Sequence, residues 1–262
     1  MPEEPIRFAN GAAYDRMMGV WTRYVGDIFL DWLALPKGLA WIDVGCGTGA
    51  FTQLVVDRCQ PAEVQGIDPS ESQLAFARQR PAAKTARFQI GDATALPFED
   101  KRFDVAAMAL ALFFVPEPEK GVAEMMRVVR PGGTVAAYVW DIPNGGFPID
   151  PIIAALRAMG KTPVLPPRAD ISALDALEAL WRRCGLDAVE ARPIAVERTF
   201  ADFEDYWQTT LGAGSLGDRV AAMPEAEREQ LKEGTRARLL AEADGRIIQK
   251  TWANAAKGRV PG

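Results

Sequence analysis

The stretch Ala40-Trp41-Ile42-Asp43-Val44-Gly45-Cys46-Gly47-Thr48-Gly49-Ala50-Phe51 decides the fold. Its first five residues read as a buried strand. Asp43 to Gly49 make a glycine-rich turn, and Phe51, Leu54, Val55 and Cys59 then recur at helical spacing up to Pro61. Glycines at a strand-to-helix turn let the backbone bend sharply and pass close to a ligand, and the new helix offers unpaired N–H groups. A tight turn without a ligand would use the same residues, so the loop is weighed with its surroundings.

On the N-terminal side, Tyr14, Met17, Met18, Trp21, Val25, Ile28, Phe29 and Trp32 predict an amphipathic helix that Pro36-Lys37-Gly38 ends. On the other side the spacing predicts strands over 63–67, 86–90, 103–110 and 134–140. Helices are expected over 69–80 and through Val122, Met125, Met126 and Val129, the latter closed by Pro131-Gly132-Gly133. Residues 103–110 are almost wholly apolar, as in a strand covered on both faces. Strand and helix alternating in this way argue for a parallel sheet with helices on both sides.

Past Trp140 the pattern changes. Residues 141–167 are rich in Pro and Gly, with one helix near 152–159. Ile171, Leu174, Leu177, Leu180, Trp181 and Cys184 predict a helix ended by Gly185. Residues 188–200 read as a strand in which Pro193 marks a sheet edge or a bulge. Residues 201–245 read as mostly helical and 246–255 as a last strand.

Composition narrows the chemistry. The 262 residues form one domain: a core over 1–140 with its opening helix, and segments 141–170 and 201–245 as lids over a substrate. With 30 Lys plus Arg against 35 Asp plus Glu the net charge is −5, which disfavours a general nucleic-acid binder. The chain has no histidine, so Ser-His-Asp and Cys-His machinery and His-ligated zinc are excluded. Cys46, Cys59 and Cys184 form no C-x-x-C pair, so no disulfide framework or thiolate metal cage is expected, and no metal. The acidic start MPEEPIRFAN is unlike a signal peptide, and the longest apolar run, 105–115, is too short for a membrane helix. A cytoplasmic protein with no membrane or nucleic-acid partner is the expectation; its oligomeric state is open.

Two further motifs fall at strand ends. Gly66-Ile67-Asp68-Pro69-Ser70 puts an acid 25 residues beyond Asp43, where it can accept from ribose hydroxyls or cap the next helix. Gly91-Asp92-Ala93 can read an adenine edge, with Asp92 accepting from the amino group, or serve as a plain turn. All three motifs belong to the carboxyl ends of neighbouring strands, the edge at which open α/β sheets bind ligands.

Together with Arg102-Phe103-Asp104-Val105, Val128-Val129-Arg130-Pro131-Gly132-Gly133-Thr134 and the opening Tyr14-Asp15-Arg16-Met17-Met18-Gly19-Val20-Trp21, these motifs resemble the class I S-adenosylmethionine-dependent methyltransferases. The similarity is to the broad group that includes quinone-biosynthesis and small-molecule enzymes, and its motifs cover about residues 40–140. The resemblance implies a Rossmann-like, doubly wound α/β fold. Its seven strands would run in the order 3-2-1-4-5-7-6, with strand 7 antiparallel and helical lid insertions. It implies S-adenosylmethionine as cofactor, S-adenosylhomocysteine as product, and Asp43 in the cofactor site. Gly45, Cys46 and Gly47 would line the methionine part, Asp68 would hold the ribose, and Pro69 and Ser70 would lie beside the adenine. Asp92 and Ala93 would read the adenine edge, Met108, Ala109 and Leu110 would lie near the sulfonium, and Tyr14 would close over the cofactor.

The expected activity is methyl transfer to a small-molecule acceptor by in-line displacement, in which the protein chiefly positions the reactants. Asp141 and Tyr14 are the candidate catalytic groups. Phe113, Phe114, Trp140, Phe147, Tyr206 and Trp207 would form an aromatic substrate pocket. Relatives often carry a polar residue just past the fourth strand, where this chain has Leu110-Ala111-Leu112-Phe113-Phe114, so an apolar wall is expected there. Two alternatives stay open. A non-catalytic cofactor-binding module of the same fold would bind without turnover. A nicotinamide-dependent oxidoreductase is compatible with Gly45, Gly47, Ala50 and Asp68, but fits less well with Gly49 and the Gly91-Asp92 turn.

Overall fold

The computed structural model describes residues 15–212 and 215–262. Its centre is a seven-stranded sheet of β1 (Ala40–Val44), β2 (Glu63–Asp68), β3 (Ala86–Ile90), β4 (Phe103–Ala109), β5 (Val129–Trp140), β6 (Asp187–Phe200) and β7 (Ile247–Arg259). The strand order is β3-β2-β1-β4-β5-β7-β6, as the resemblance implies. β1 to β5 pair in parallel, and β7 runs antiparallel between β5 and β6. An antiparallel strand at this place separates the fold from the dinucleotide-binding order 3-2-1-4-5-6.

The opening helix begins as a π-helical turn, Asp15–Gly19, and continues as α1 (Val20–Leu33). The face expected from periodicity is the buried one: Trp21, Val25 and Phe29 are wholly enclosed against the sheet. Phe29 meets Tyr138 edge-on at 4.9 Å, and the Tyr138 hydroxyl donates to the Thr22 carbonyl at 3.1 Å. Tyr14, expected in this helix and in the site, lies outside the described residues.

Helices α2 (Ala50–Cys59), α3 (Glu71–Ala77) and α4 (Pro118–Val128) link the parallel strands. The sequence places Val129 in the last of these and starts the next strand at Thr134; instead β5 begins at Val129. Pro131-Gly132-Gly133 does not end the pairing, because the Gly132 amide donates to Val260 at 2.8 Å and Gly133 accepts from the Val260 amide at 3.0 Å. At Gly133 a Cβ would lie 2.7 Å from the Asp104 carbonyl, so only glycine lets the strands close there.

Two more boundaries differ. The helix expected over 171–184 is a 3-10 turn, Ala169–Ser172, followed by α6 (Leu174–Arg183). The last strand runs to Arg259 rather than residue 255, since β7 must cover both β5 and β6. Pro193 lies on β6, an edge strand, where a missing donor is tolerated.

The two segments expected as lids emerge at one place. α5 (Asp150–Ala158) follows the end of β5. α7 (Phe203–Leu211), α8 (Ser215–Ala221) and α9 (Glu225–Arg236) join the end of β6 to the start of β7. The β6–β7 ribbon carries six more residue pairs, Ala195–Trp252 to Phe200–Ile247, beyond the last β5 pair at Trp140. At a strand's rise this is an overhang of about 20 Å above the carboxyl edge of the parallel strands. Both segments therefore stand over the carboxyl edge of the parallel strands, tied together by Lys161 and Glu227 at 2.6 Å.

Candidate active site

The glycine loop is fastened to the end of β2. Gly45 and Cys46 donate to the Ile67 carbonyl at 2.7 and 2.9 Å. The Gly47 amide donates to Asp68 Oδ2 at 2.9 Å and the Ser70 amide to Asp68 Oδ1 at 2.8 Å. One carboxylate therefore braces two loops and keeps lone pairs on both oxygens for a further donor such as a ribose diol. The cap of α3 is Ser70, with Asp68 two residues earlier. Burial raises the Asp68 pKa above the usual carboxylate value, against those two amides.

Gly45, Gly47 and Gly49 all have positive φ, at +74°, +52° and +75°. A Cβ on Gly45 would overlap the Ala111 side chain, so the turn after β4 presses directly on the loop. On Gly47 a Cβ would meet nothing within 4 Å among the described residues, which leave open space over the loop. Leu110, at the top of β4, also has positive φ (+56°) and its amide donates to the Tyr138 carbonyl at 2.8 Å. Met108 is buried and Ala109 half-buried beside it.

Asp43 is 2% exposed. Its Oδ2 accepts from the Thr52 hydroxyl at 2.5 Å, and its Oδ1 finds no partner among the described residues. Burial, with the neighbouring Asp68 charge, pushes its pKa up to about 7. The Cys46 thiol is pushed up by burial and by the same two carboxylates, so it stays neutral and acts as a small wall residue. Asp92 holds the turn after β3 by accepting from the Thr94 amide at 2.7 Å and hydroxyl at 2.8 Å. These bonds fall on Oδ1 and lower its pKa. Ala93 is half-buried next to it, and Pro69 is exposed beside Asp68.

An S-adenosyl group fits these residues on three grounds. Among the described residues a buried acceptor, Asp43 Oδ1, lacks a partner and no side chain fills the space Gly47 faces; and the Asp68 carboxylate is braced at the strand end between them.

The expected substrate residues come together less completely. Trp140 is fully enclosed, packs edge-on against Trp21 at 6.1 Å, and its Nε1 has no partner among the described residues. Tyr206 and Trp207 lie on α7 beside Phe203, and the Tyr206 hydroxyl reaches the Pro148 carbonyl at 3.5 Å, next to Phe147. Burial raises the Tyr206 pKa, which keeps that hydroxyl neutral. Phe113 and Phe114 meet edge-on at 4.8 Å, and the Phe113 carbonyl accepts from the Arg168 amide at 3.0 Å. Asp141 is buried; its Oδ1 accepts from Asn144 at 2.9 Å and its Oδ2 from the Trp252 indole at 3.3 Å. That carboxylate braces the loop after β5. Sequence reasoning missed Asp150, which accepts from the Phe147 amide at 2.8 Å and whose pKa burial raises. It also missed Thr52, for which a polar residue on the buried face of α2 was the available signal, while Ala111, expected in an apolar wall, packs against Gly45.

Residues 42–137 match the family of methyltransferase domains. Over that span the chain carries a methyltransferase domain, on a sheet with the strand order that the resemblance to class I enzymes implies. Its core is 36% identical over 138 residues to the ubiquinone/menaquinone biosynthesis C-methyltransferase of Dinoroseobacter shibae, a match covering 51% of this chain and 55% of that enzyme. The chain spans about half the length of the curated relatives it matches. Among solved structures, the YcgJ protein of Bacillus subtilis superposes with a TM-score of 0.61 at 17% identity, covering 92% of this chain and 99% of that one. Phosphoethanolamine N-methyltransferase 2 of Haemonchus contortus, in complex with S-adenosyl-L-methionine, gives 0.56 at 17% identity over 96% of this chain and 57% of that one. These two likenesses concern the fold. No helix among the described residues is long and apolar enough to cross a membrane.

Proposed function

We propose that the protein transfers a methyl group from S-adenosylmethionine to a small acceptor with an aromatic or otherwise apolar body. The observation that carries this reading is the Asp68 carboxylate, braced by the Gly47 and Ser70 amides beside a glycine loop above which the described residues leave open space. Asp68 takes the ribose hydroxyls, Gly45 to Gly47 the methionine chain, and Asp92 with the Ala93 amide the adenine edge. Pro69 and Ser70 flank the adenine, and Met108, Ala109 and Leu110 wall the sulfonium. Asp43 Oδ1 accepts from the cationic amino group, which supplies the missing partner and pulls its pKa down.

When bound, the cofactor supplies a methyl carbon on a sulfonium whose sulfur leaves as a neutral thioether. The remaining work is positioning and exclusion of water, for which the β6–β7 overhang and lid helices stand at the right edge. The acceptor contributes the electron pair of the new bond and gives up a proton. Asp141 is engaged by Asn144 and Trp252, and the Tyr206 hydroxyl stays neutral. An acceptor that is already nucleophilic, or that ionises easily, suits such a site. The quinone-biosynthesis name of the relative in Dinoroseobacter shibae supports an aromatic acceptor.

The test is transfer of labelled methyl from S-adenosylmethionine into a panel of phenols, hydroquinones, amines and carboxylic acids. Label in an aromatic acceptor, lost in Asp68→Ala, is the expected result. Tight cofactor binding with no transfer to any class would favour the non-catalytic module instead.

A further inference from the structure

We infer that Asp15, Arg80 and Gly19 form a latch that holds the π-helical turn down on the glycine loop and so retains the cofactor. This rests on the proposed S-adenosylmethionine site and assigns positioning residues to it.

Arg80 follows α3, just before the 3-10 turn Pro81–Lys84. Its Nε donates to the Thr48 carbonyl at 2.5 Å, inside the glycine loop, and its Nη2 donates to Asp15 Oδ1. The Thr48 hydroxyl also donates to Asp15 Oδ1, at 3.4 Å. Arg80 Cδ lies 3.4 Å from where a Cβ on Gly49 would sit, and its guanidinium stacks 5.5 Å from the Phe76 ring centre. The pair is shielded, with 11% of the Arg80 and 20% of the Asp15 side chain exposed. A guanidinium presents several N–H groups in a fixed fork, so Arg80 serves a carbonyl and a carboxylate at once, which a lysine ammonium cannot do in the same geometry.

Gly19 is part of the same device. Its φ is −62°, ordinary for a helix, so the position does not need glycine for backbone freedom. It needs room: a Cβ there would overlap Asp15 Oδ1 and stand 2.8 Å from Asp15 Cγ. The Asp15 side chain folds back along its own helix through the space that glycine leaves. At the other side of the turn, the Arg198 guanidinium donates to the Arg16 and Met17 carbonyls at 3.2 and 3.1 Å. The turn is thus held by the cofactor half through Arg80 and by the overhanging ribbon through Arg198. π-helical turns concentrate at functional sites.

Gly19→Ala separates a latch from a merely structural contact. Alanine is the better helix former, so the exchange does not lower the helix propensity, while it pushes the Asp15 carboxylate away from Arg80. The experiment measures S-adenosylmethionine release by stopped flow in the wild type, Gly19→Ala, Asp15→Asn, Arg80→Gln and Arg80→Lys. Hydrogen exchange of residues 15–24 and 47–53 is followed in the same proteins without cofactor. Release is expected to quicken by about tenfold in Gly19→Ala, Asp15→Asn and Arg80→Gln, with Arg80→Lys little better than Arg80→Gln. Both segments should exchange faster together, while the Gly19→Ala melting temperature holds or rises. Unchanged release in Gly19→Ala and Asp15→Asn overturns the latch, as does exchange unchanged in both segments. Failure of the wild type to bind S-adenosylmethionine defeats the proposed function, and the exchange comparison then still decides whether the two segments are coupled.

Discussion

The carboxyl edge of the parallel strands, where the cofactor is proposed to bind, and the segments expected as lids stand a few residues apart on the same sheet but are held together differently. At the carboxyl edge of the parallel strands, hydrogen bonds between backbone and side chain set the loops: the Gly47 and Ser70 amides donate to Asp68, the Thr94 amide donates to Asp92, and the Arg80 side chain donates to the Thr48 carbonyl. In the segments after β5 and β6, ring contacts join the polar ones, with Phe203 stacked on Trp207 at 6.0 Å and Tyr206 edge-on to Phe200 at 5.3 Å. Directed hydrogen bonds fix one ligand shape. Apolar packing of many rings tolerates exchange of residues as long as volume is kept. A fold that keeps its cofactor and changes its acceptor would divide its architecture in this way.

Four substitutions or conditions can break or sharpen that contrast. The largest effect on binding is expected from Gly45→Val, which clashes with Ala111 and forces a branched residue to positive φ. Affinity for S-adenosylmethionine should fall by about a hundredfold or more, roughly 3 kcal/mol, read by calorimetric titration. Trp207→Ala should do the reverse. It is 5% exposed, so its loss should cost about 3 kcal/mol of unfolding free energy by denaturant titration. Cofactor affinity should meanwhile change by less than about threefold, a factor under 1 kcal/mol. Equal losses of affinity in the two variants would erase the contrast.

The third effect is a pH dependence. Asp43 has its pKa raised from 3.8 to about 7, so the native state binds a proton that the unfolded chain has lost over that window. This group therefore makes the cofactor-free protein lose stability as pH rises from about 4 to 7, with no further change above. Binding of a cationic cofactor favours the ionised form. Affinity should then rise with pH towards 7, by at most about tenfold per unit, and Asp43→Asn should flatten the profile. A flat wild-type profile between pH 5 and 8 would remove Asp43 from the site. The smallest effect is expected from Glu204→Gln, which breaks the pair with Lys232 (2.7 Å) on the lid surface. Such a pair is worth about 0–1 kcal/mol, and neither melting temperature nor cofactor affinity should move appreciably.

The two regions were also unequally legible. Gly45, Gly47, Asp68 and Asp92 could be placed because each sits at a strand end, where a glycine or an acid interrupts an apolar run. The strand order came with the resemblance those motifs carry. The boundary errors share a cause: Val129 and residues 256–259 belong to strands because a neighbour pairs with them, and pairing is not a local property of the sequence. The latch was hidden for the same reason. Asp15 and Arg80 are 65 residues apart, and Gly19 reads as an ordinary helical residue until the carboxylate beside it is seen. Aromatic residues of the lid were recognisable as a set, but periodicity does not say which ring meets which. Phe113 and Phe114 accordingly pair with each other, with Arg168 bonded at the Phe113 carbonyl, while Tyr206 and Trp207 gather around Phe203.

The most direct test is isothermal titration of the purified protein with S-adenosylmethionine, with NAD as the control ligand and Asp68→Ala alongside. Binding of S-adenosylmethionine in the micromolar range, weakened at least about tenfold in Asp68→Ala, with no heat from NAD, is the predicted result. Binding of NAD instead, or S-adenosylmethionine affinity that Asp68→Ala leaves unchanged, would contradict the assignment of the braced carboxylate and the glycine loop to this cofactor.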